Sequence, residues 1–336
     1  MAGSPVILYR YDNSAFSTRV EAHLLLRDIK YQQCTQPPIM PRPDVAALGL
    51  EYRRIPIMAI GNNVILDSSL QVTKLEKLPS SGNAVISSNS PVNPEHKAIQ
   101  FLVSRFVCKV LFRTLSLLMR VDKGFLASRK FNDDRSKLLG GDFKQAVLRG
   151  QPSAMAEVIS VFEFLENGLL ADGRNWLLNT EQVTSVDIEA AWALVWIDGM
   201  DEGLPSEHFS EQRFPKVRAW MNRYRSALRE AQQKRGPVED ISGEAAAKLI
   251  KASPVTAQSA GVSQSDPVAK SMGLVKGDLI TIWTSDVPKA AEKDTGKLVA
   301  LLSNEIVVDV ATANGTFRVY APRNGFHLQK HSEARL

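Results

Sequence analysis

The spacing of apolar residues changes twice along this chain of 336 residues, and this change most limits the folds that it can adopt. Each change follows a stretch rich in Ser, Pro, Gly and Asn, at 79–94 and within 236–267. These residue types compete with regular structure or cannot join it, so both stretches are predicted linkers. The predicted organisation is a domain over 1–80, a domain over 92–235, a linker with a short helix over 236–267, and a domain over 268–330.

The first segment alternates between strand-like and helix-like patterns. Runs of β-branched and aromatic residues predict strands, whereas apolar residues at helical spacing after Ser or Asp predict helices. In chain order, the predicted elements are a strand over 6–9, a helix after Ser14 or Ser17, a strand over 31–35, two strands over 57–60 and 64–66, and a helix over 67–78. This βαβ(α)ββα order, with a proline-rich loop after the second strand, predicts a small mixed sheet.

The second and third segments have one period each. The second has helical periodicity over 97–120, 153–170, 187–197 and 215–231. The helix over 187–197 is apolar on nearly all sides, so it is predicted to be central and buried. The third segment has short strand patterns over 279–283, 298–302, 306–310 and 317–320. It is predicted to be a small antiparallel all-β, barrel-like domain.

Charge and cysteine content exclude several classes of protein. The formal charge of +5 is dispersed, without a dense block of Lys and Arg, so nucleic acid is not a predicted partner. Cys34 and Cys108 have no zinc-site spacing, the histidines form no ligand-spaced group, and no metal site is predicted. The low cysteine content and the absence of a signal-like N-terminus predict a cytoplasmic protein. The most apolar run, 190–197, is far shorter than the roughly 20 residues that span a bilayer.

Four short motifs follow one another within residues 5–230. They are Ser-Ala-Phe-Ser-Thr-Arg-Val at 14–20, Arg-Ile-Pro-Ile-Met at 54–58, Asp-Ser at 67–68 and Thr-Ser-Val-Asp-Ile at 184–188. Their order resembles that in glutathione S-transferases, and in particular fungal members of that group with a C-terminal β extension. The resemblance implies an α/β thioredoxin-like domain followed by an all-α glutathione S-transferase C-terminal-type domain. The third domain is not covered by these motifs.

The resemblance also implies a role for each residue of a glutathione site. Ser14 would donate a hydrogen bond that stabilises the glutathione thiolate, and is the predicted catalytic residue. Pro56 would follow a cis peptide bond, which leaves the backbone N–H and C=O of Ile55 free to pair with the ligand. Asp67 and Ser68, at a helix N-terminus, would bind the γ-glutamyl ammonium and carboxylate.

A second set of residues is predicted to contact the other substrate. These aromatic and basic side chains are Tyr11, Phe16, Arg54, Arg105, Lys109 and Arg113. The alternative for each residue is structural, because aromatic rings commonly pack in cores and charged stripes commonly face solvent. The serines at 14 and 17 and the pair at 67–68 likewise have the alternative of helix capping.

Three features of the sequence limit the chemistry. Ser14 and Ser17 occupy the positions where thioredoxin-type redox proteins have cysteines, so dithiol exchange at this site is excluded. Position 15 is Ala where many glutathione S-transferases have Pro. The loop over 36–54 lacks the helix pattern and polar ligands typical of them, so no contact with the glycine end of glutathione is predicted.

Three functions remain open at this point. The leading hypothesis is a glutathione-dependent enzyme, acting as a homodimer through the helix over 97–120, that conjugates, isomerises or eliminates an electrophilic small molecule. A fungal secondary-metabolite intermediate is the predicted substrate. The second hypothesis is a glutathione-independent cyclase, isomerase or lyase that uses a cleft between the first two domains. The third is a non-catalytic interaction module.

Overall fold

The computed structural model describes residues 4–79, 93–255, 261–287, 292–312 and 315–331. The chain divides into two units. The first contains Met1–Ser17, Lys30–Thr73 and Val238–Leu336, and the second contains Thr18–Ile29 and Lys74–Pro237. The first helix, α1 (Ala15–Leu26), begins in the first unit and continues in the second.

The first unit is built on one sheet. Its strands are β1 (Val6–Arg10), β2 (Gln32–Thr35), β3 (Ile57–Ile60), β4 (Asn63–Ile65), β5 (Leu279–Thr284), β6 (Asp294–Leu301), β7 (Glu305–Thr312), β8 (Gly315–Pro322) and β9 (Phe326–Lys330). Their order is β2-β1-β3-β4-β8-β7-β6-β5-β9. β1 is parallel to β2 and β4 is parallel to β8, whereas the other neighbours are antiparallel. The unit also contains α2 (Pro43–Ala46), α11 (Gly243–Ala252), α12 (Pro267–Met272) and most of α3 (Ser68–Leu75), whose last two residues belong to the second unit.

The predicted fold class is confirmed, with a thioredoxin-like N-terminal region, a helical middle region and a strand-rich C-terminal region. The C-terminal strands differ from the expectation in their placement, because they continue the N-terminal sheet. β8 lies beside β4, with Asn63 opposite Arg318 and Ile65 opposite Tyr320. Both parts of the sheet bury their apolar side chains in one core. A sequence pattern specifies which face of a strand is buried but not which strand lies beside it, so the sequence did not predict the pairing of β8 with β4.

The described part of the predicted linker over 236–267 is integrated into the first unit. The N–H of Gln33 in β2 donates to the C=O of Glu239 at 2.9 Å, and the N–H of Ile241 donates to the C=O of Gln33 at 2.8 Å. Helix α11 buries Ala246 and Ile250 in the same core as the sheet. Residues 80–92 of the other predicted linker lie outside the described residues.

The second unit is helical. Its further helices are α4 (Pro94–Phe106), α5 (Phe112–Ser116), α6 (Arg129–Leu139), α7 (Phe143–Phe164), α8 (Ser185–Asp198), α9 (Ser206–Phe209) and α10 (Pro215–Arg235). The single helix expected over 97–120 is interrupted by a π-helical turn at Val107–Leu111 and ends earlier. Nothing in the apolar spacing distinguishes a π turn from an α turn.

Helix α8 is buried and central to its unit, as its apolar sequence predicts. Thr184 and Asp187 form the predicted capping box at its start. Asp187 also accepts hydrogen bonds from the N–H of Leu177 at 2.8 Å and from Nε1 of Trp220 at 3.1 Å. A fully buried carboxylate is stabilised by such a complete set of donors, so Asp187 joins three segments of the unit.

A buried ionic cluster connects α1 to α8 within the second unit. The Arg19 guanidinium contacts the Glu189 carboxylate at 2.7 Å, and Nε2 of His23 lies 2.9 Å from the same group. All three side chains are at most 1% exposed. Burial alone would raise the pKa of Glu189, but the Arg19 and His23 contacts outweigh it and hold that pKa at about 2. Glu189 is therefore ionised at neutral pH.

Candidate functional site

Three chain segments meet at one edge of the sheet in the first unit. β1 is antiparallel to β3, with Tyr9 opposite Ile57, and β3 is antiparallel to β4, with Met58 opposite Ile65. The end of β1, the start of β3 and the end of β4 therefore lie side by side. We call this the site edge.

The predicted glutathione-site residues occupy these three segments. Ser14 follows β1, Ile55 and Pro56 precede β3, and Asp67 and Ser68 follow β4. The topology thus brings all five to the site edge. Asp67 is half-buried, whereas the other four are buried.

Ser14 is held at the start of α1. Its Oγ accepts a hydrogen bond from the N–H of Ser17 at 3.4 Å and another from the Ser17 hydroxyl at 2.9 Å. Ser14 therefore caps α1 and still keeps its own hydroxyl proton as a donor. An oxygen that accepts two hydrogen bonds is polarised into a stronger donor. Only 2% of Ser14 is exposed, which limits competition from water for that proton.

The segment before β3 presents an unpaired peptide group. The Ile55–Pro56 bond is cis. Within the described part of the chain, neither the N–H nor the C=O of Ile55 makes a hydrogen bond, although the residue is only 8% exposed. Nε2 of Gln71 on α3 donates to the C=O of Pro56 and to that of Ile65, both at 2.9 Å. Gln71 therefore fixes this segment against β4.

Gln71 was not singled out from the sequence, because a glutamine on a helix carries no pattern that reveals its partners. It is fully buried, and its two donated bonds join the segment before β3 to the end of β4. Burial of a long polar side chain is the signal that only the structure provides.

Asp67 forms the turn between β4 and α3. Its backbone has a φ of +63°, a left-handed conformation that Asp adopts more readily than most residues. Its Oδ1 accepts the N–H of Ser69 at 2.8 Å, which caps α3. In the described part of the chain, Oδ2 has no hydrogen-bond partner and remains able to accept one from a ligand.

The loop over 36–54 is held closed by Arg42. Its guanidinium donates to the C=O of Pro37 at 2.9 Å, to the C=O of Pro38 at 3.1 Å and to the C=O of Arg53. The same group lies 5.6 Å from the centre of the Tyr11 ring, a cation–π contact. One face of Tyr11, a predicted substrate contact, is therefore already covered.

The other predicted substrate contacts belong to both units. Arg54 donates two hydrogen bonds to the Asp286 carboxylate, at 2.8 and 3.0 Å, so its guanidinium is engaged within the protein. Phe16 is half-buried on α1. Arg105, Lys109 and Arg113 lie in the second unit. Their contact with substrate stays a prediction.

Comparisons with known proteins agree with the fold described above. Residues 8–83 match the family model described as glutathione S-transferase, N-terminal domain, and residues 115–233 match a domain of unknown function, DUF7962. A GST-like protein from Pseudomonas syringae is 21% identical, with a TM-score of 0.67 over 98% of this chain and 100% of that chain. The chain has a glutathione S-transferase-like fold.

Two further solved structures resemble this GST-like chain over a smaller part. The β-etherase LigF from Sphingobium is 15% identical, with a TM-score of 0.51 over 68% of this chain and 99% of that chain. A rice glutathione S-transferase, solved in complex with glutathione, is 16% identical, with a TM-score of 0.50 over 75% of this chain and 96% of that chain. At these identities the likeness concerns the fold alone. No curated protein matches the sequence.

One cysteine of this GST-like protein, Cys34, is a poor nucleophile. Cys34 is buried in β2, and burial, with the charges of Asp44 and Asp240, raises the pKa of its thiol to about 12. The thiol therefore stays protonated at neutral pH, and the thiolate is the reactive form. The described residues contain no group of His, Cys, Asp and Glu that could hold a metal ion, and no helix among them is long and apolar enough to cross a bilayer.

A buried carboxylate lies behind the site edge. Oδ1 of Asp294, at the start of β6, accepts the N–H of Glu51 at 2.7 Å. Asp294 is 4% exposed and makes no ion pair within the described chain. Burial raises its pKa to about 6, although the N–H groups of Glu51 and Tyr52 oppose the shift.

This shift predicts an unusual dependence of stability on pH. The folded state favours the protonated carboxyl. Its contribution to the free energy of unfolding is therefore complete below about pH 4 and is lost as the pH rises through about 6. The raised pKa corresponds to roughly 3 kcal/mol at most. We expect Asp294→Asn to be more stable than wild type at pH 8 by about 1–3 kcal/mol, and this advantage to shrink at pH 5. Urea unfolding at both values measures it, and an equal difference at both would contradict it.

Proposed function

We propose that this protein binds glutathione at the site edge and presents its thiolate to an electrophilic small molecule. The observation that carries the proposal is that the backbone N–H and C=O of Ile55 make no hydrogen bond to any residue that the structure describes. Backbone polar groups of buried residues nearly always have partners, and an extended peptide supplies a donor and an acceptor together. The cysteinyl residue of glutathione has this form.

The two neighbouring segments suit the other parts of glutathione. The free Oδ2 of Asp67 fits the γ-glutamyl ammonium, and the hydroxyl of Ser68, the first residue of α3, fits the carboxylate at the positive end of the helix dipole. The hydroxyl of Ser14 would donate to the sulfur. Lowering a thiol pKa by about two units needs roughly 2.7 kcal/mol, within reach of such a donor and the α1 dipole.

The reaction follows from a thiolate so placed. Its sulfur attacks an electrophilic carbon, a C–S bond forms, and the displaced electron pair leaves with a leaving group or moves onto a conjugated acceptor, which then takes a proton. The thiol proton passes to solvent. If the adduct rearranges and its C–S bond is then cleaved, glutathione is released and the overall reaction is an isomerisation or an elimination. A secondary-metabolite intermediate is the substrate that we propose to test first.

Calorimetry with glutathione tests the proposal directly. We expect binding at millimolar concentration or below, and weaker binding by Asp67→Asn, which loses the charge that would meet the ammonium. A γ-glutamyl-alanyl-glycine peptide, which lacks the sulfur, should still bind through Ile55. Absence of any glutathione binding at millimolar ligand would exclude the proposed function.

Assays without glutathione separate the proposal from its alternatives. Turnover of a substrate in glutathione-free buffer would support the cyclase, isomerase or lyase hypothesis instead. Binding of neither glutathione nor a small substrate, together with co-purification of a protein partner, would support the interaction module.

A homodimer is the assembly that we propose. Phe101, Leu102, Phe106 and Val110 on α4 and the following π turn are between 46% and 65% exposed, an apolar stripe that suits contact with a second copy. We expect light scattering to give twice the chain mass of 37.1 kDa for wild type and the single mass for Phe106→Asp. The matched control is Phe125→Asp, since Phe125 is 50% exposed outside the stripe. An unchanged mass for Phe106→Asp would contradict this interface.

A further inference from the structure

The segment that leads into Ile55 is held from the C-terminal strands. We call residues 51–55 the approach loop. The N–H of Glu51 donates to Asp294 at the start of β6, at 2.7 Å. The guanidinium of Arg53 reaches Glu292, just before β6, at 3.3 Å. Two residues of the approach loop therefore contact acidic side chains at or just before the start of β6.

A third contact, an ion pair, is made by the residue adjacent to Ile55. Both terminal nitrogens of Arg54 donate hydrogen bonds to the carboxylate of Asp286, which follows β5, at 2.8 and 3.0 Å. The side chains are 30% and 25% exposed. Burial would lower the pKa of the Arg54 guanidinium, but the hydrogen bonds and charge of Asp286, with the charge of Asp67, raise it on balance. Such a paired, two-pronged contact restricts orientation as well as distance.

Apolar contacts support the same segment. The ring of Tyr52 stacks on Phe326 of β9, with centroids 5.9 Å apart and planes at 23°. Just before the approach loop, Gly49 approaches β7 so closely that a Cβ there would lie 2.2 Å from Cγ2 of Thr312. Its φ of +72° is also one that glycine adopts without strain. Residues of β6, β7 and β9, and of the segments after β5 and before β6, therefore support the chain that leads into Ile55.

We propose that Asp286, supported by Glu292 and Asp294, is a positioning residue of the glutathione site, acting through Arg54 on the peptide group of Ile55. The C-terminal strands are then part of the site. This inference rests on the proposed function for its ligand. It opposes the prediction that Arg54 contacts the other substrate, because Asp286 already engages its guanidinium.

Affinity for glutathione distinguishes the two roles of Arg54. We expect Asp286→Asn to weaken glutathione binding about threefold to tenfold, and Asp286→Glu to recover most of the loss. The matched control is Asp309→Asn, which breaks the Asp309–Arg318 pair of β7 and β8, with side chains 29% and 12% exposed. Arg318 lies opposite Asn63, at the end of β4 away from the site edge, so this control should bind glutathione like wild type. Unchanged or tighter binding by Asp286→Asn would overturn the proposal.

Hydrogen exchange tests the same inference without any ligand. Asp286→Asn should speed amide exchange in the peptide covering residues 50–57 severalfold, and Asp309→Asn should leave that peptide unchanged. If wild type bound no glutathione, the proposed function would fail while this measurement still decided whether Asp286 positions the approach loop. Equal exchange in wild type and Asp286→Asn would refute the positioning role.

Discussion

Replacing Glu189 by alanine is expected to lower the free energy of unfolding by about 3–5 kcal/mol at pH 7. Glu189 is fully buried between Arg19 and His23, and Nη2 of Arg19 also donates to the Ser104 hydroxyl at 2.9 Å. Removal of the carboxylate leaves a buried guanidinium without a counter-charge, which costs far more than the loss of a surface ion pair. Urea unfolding followed by circular dichroism measures the change.

Two comparisons make this prediction specific to burial. Glu163→Ala breaks an exposed ion pair with Arg213 in the same unit and should cost less than about 1 kcal/mol. The double variant Arg19→Met with Glu189→Leu removes both charges and should recover much of the loss. A cost below 1 kcal/mol for Glu189→Ala would show that the cluster does not stabilise the unit.

Replacing Ser14 by alanine is expected to raise the pKa of the thiol of bound glutathione from near 6.5 to near 8.5, about two units. At pH 6.5 the thiolate fraction then falls about fiftyfold, and the rate of conjugation falls with it. Above pH 9 both proteins hold mainly thiolate, so their rates should converge. The absorbance of the bound thiolate, titrated against pH, measures the shift independently of any substrate.

The pH profile separates this role from helix capping. Loss of the cap alone would cost about 1 kcal/mol of stability and would leave the thiol pKa unchanged. Ser14→Thr keeps a hydroxyl and should retain a low pKa. A Ser14→Ala protein that binds glutathione with the wild-type thiol pKa would remove Ser14 from the catalytic role.

Helix α8 and the local motifs were predictable because they depend on neighbours in sequence. The apolar pattern of α8 predicted its burial, and Thr184 with Asp187 predicted its capping box, since both act within one or two helical turns. The order of elements along residues 6–66 was also predictable, because strand-like and helix-like spacing of apolar residues is a local signal. Ser14, Ile55 and Asp67 could be singled out from motifs adjacent to those strands.

The tertiary structure alone decided what surrounds that site. The pairing of β8 with β4 joins residues about 250 positions apart, and no local pattern selects one exposed strand edge over another. The same pairing places Asp286 and Asp294 beside the approach loop and turns a predicted linker into buried structure. The role of Gln71 was likewise decided by the tertiary structure, because it depends on two carbonyl groups that only the folded sheet brings within reach of its side chain. The sequence by itself determined the elements and the candidate chemistry, whereas long-range packing determined which side chains hold that chemistry in place.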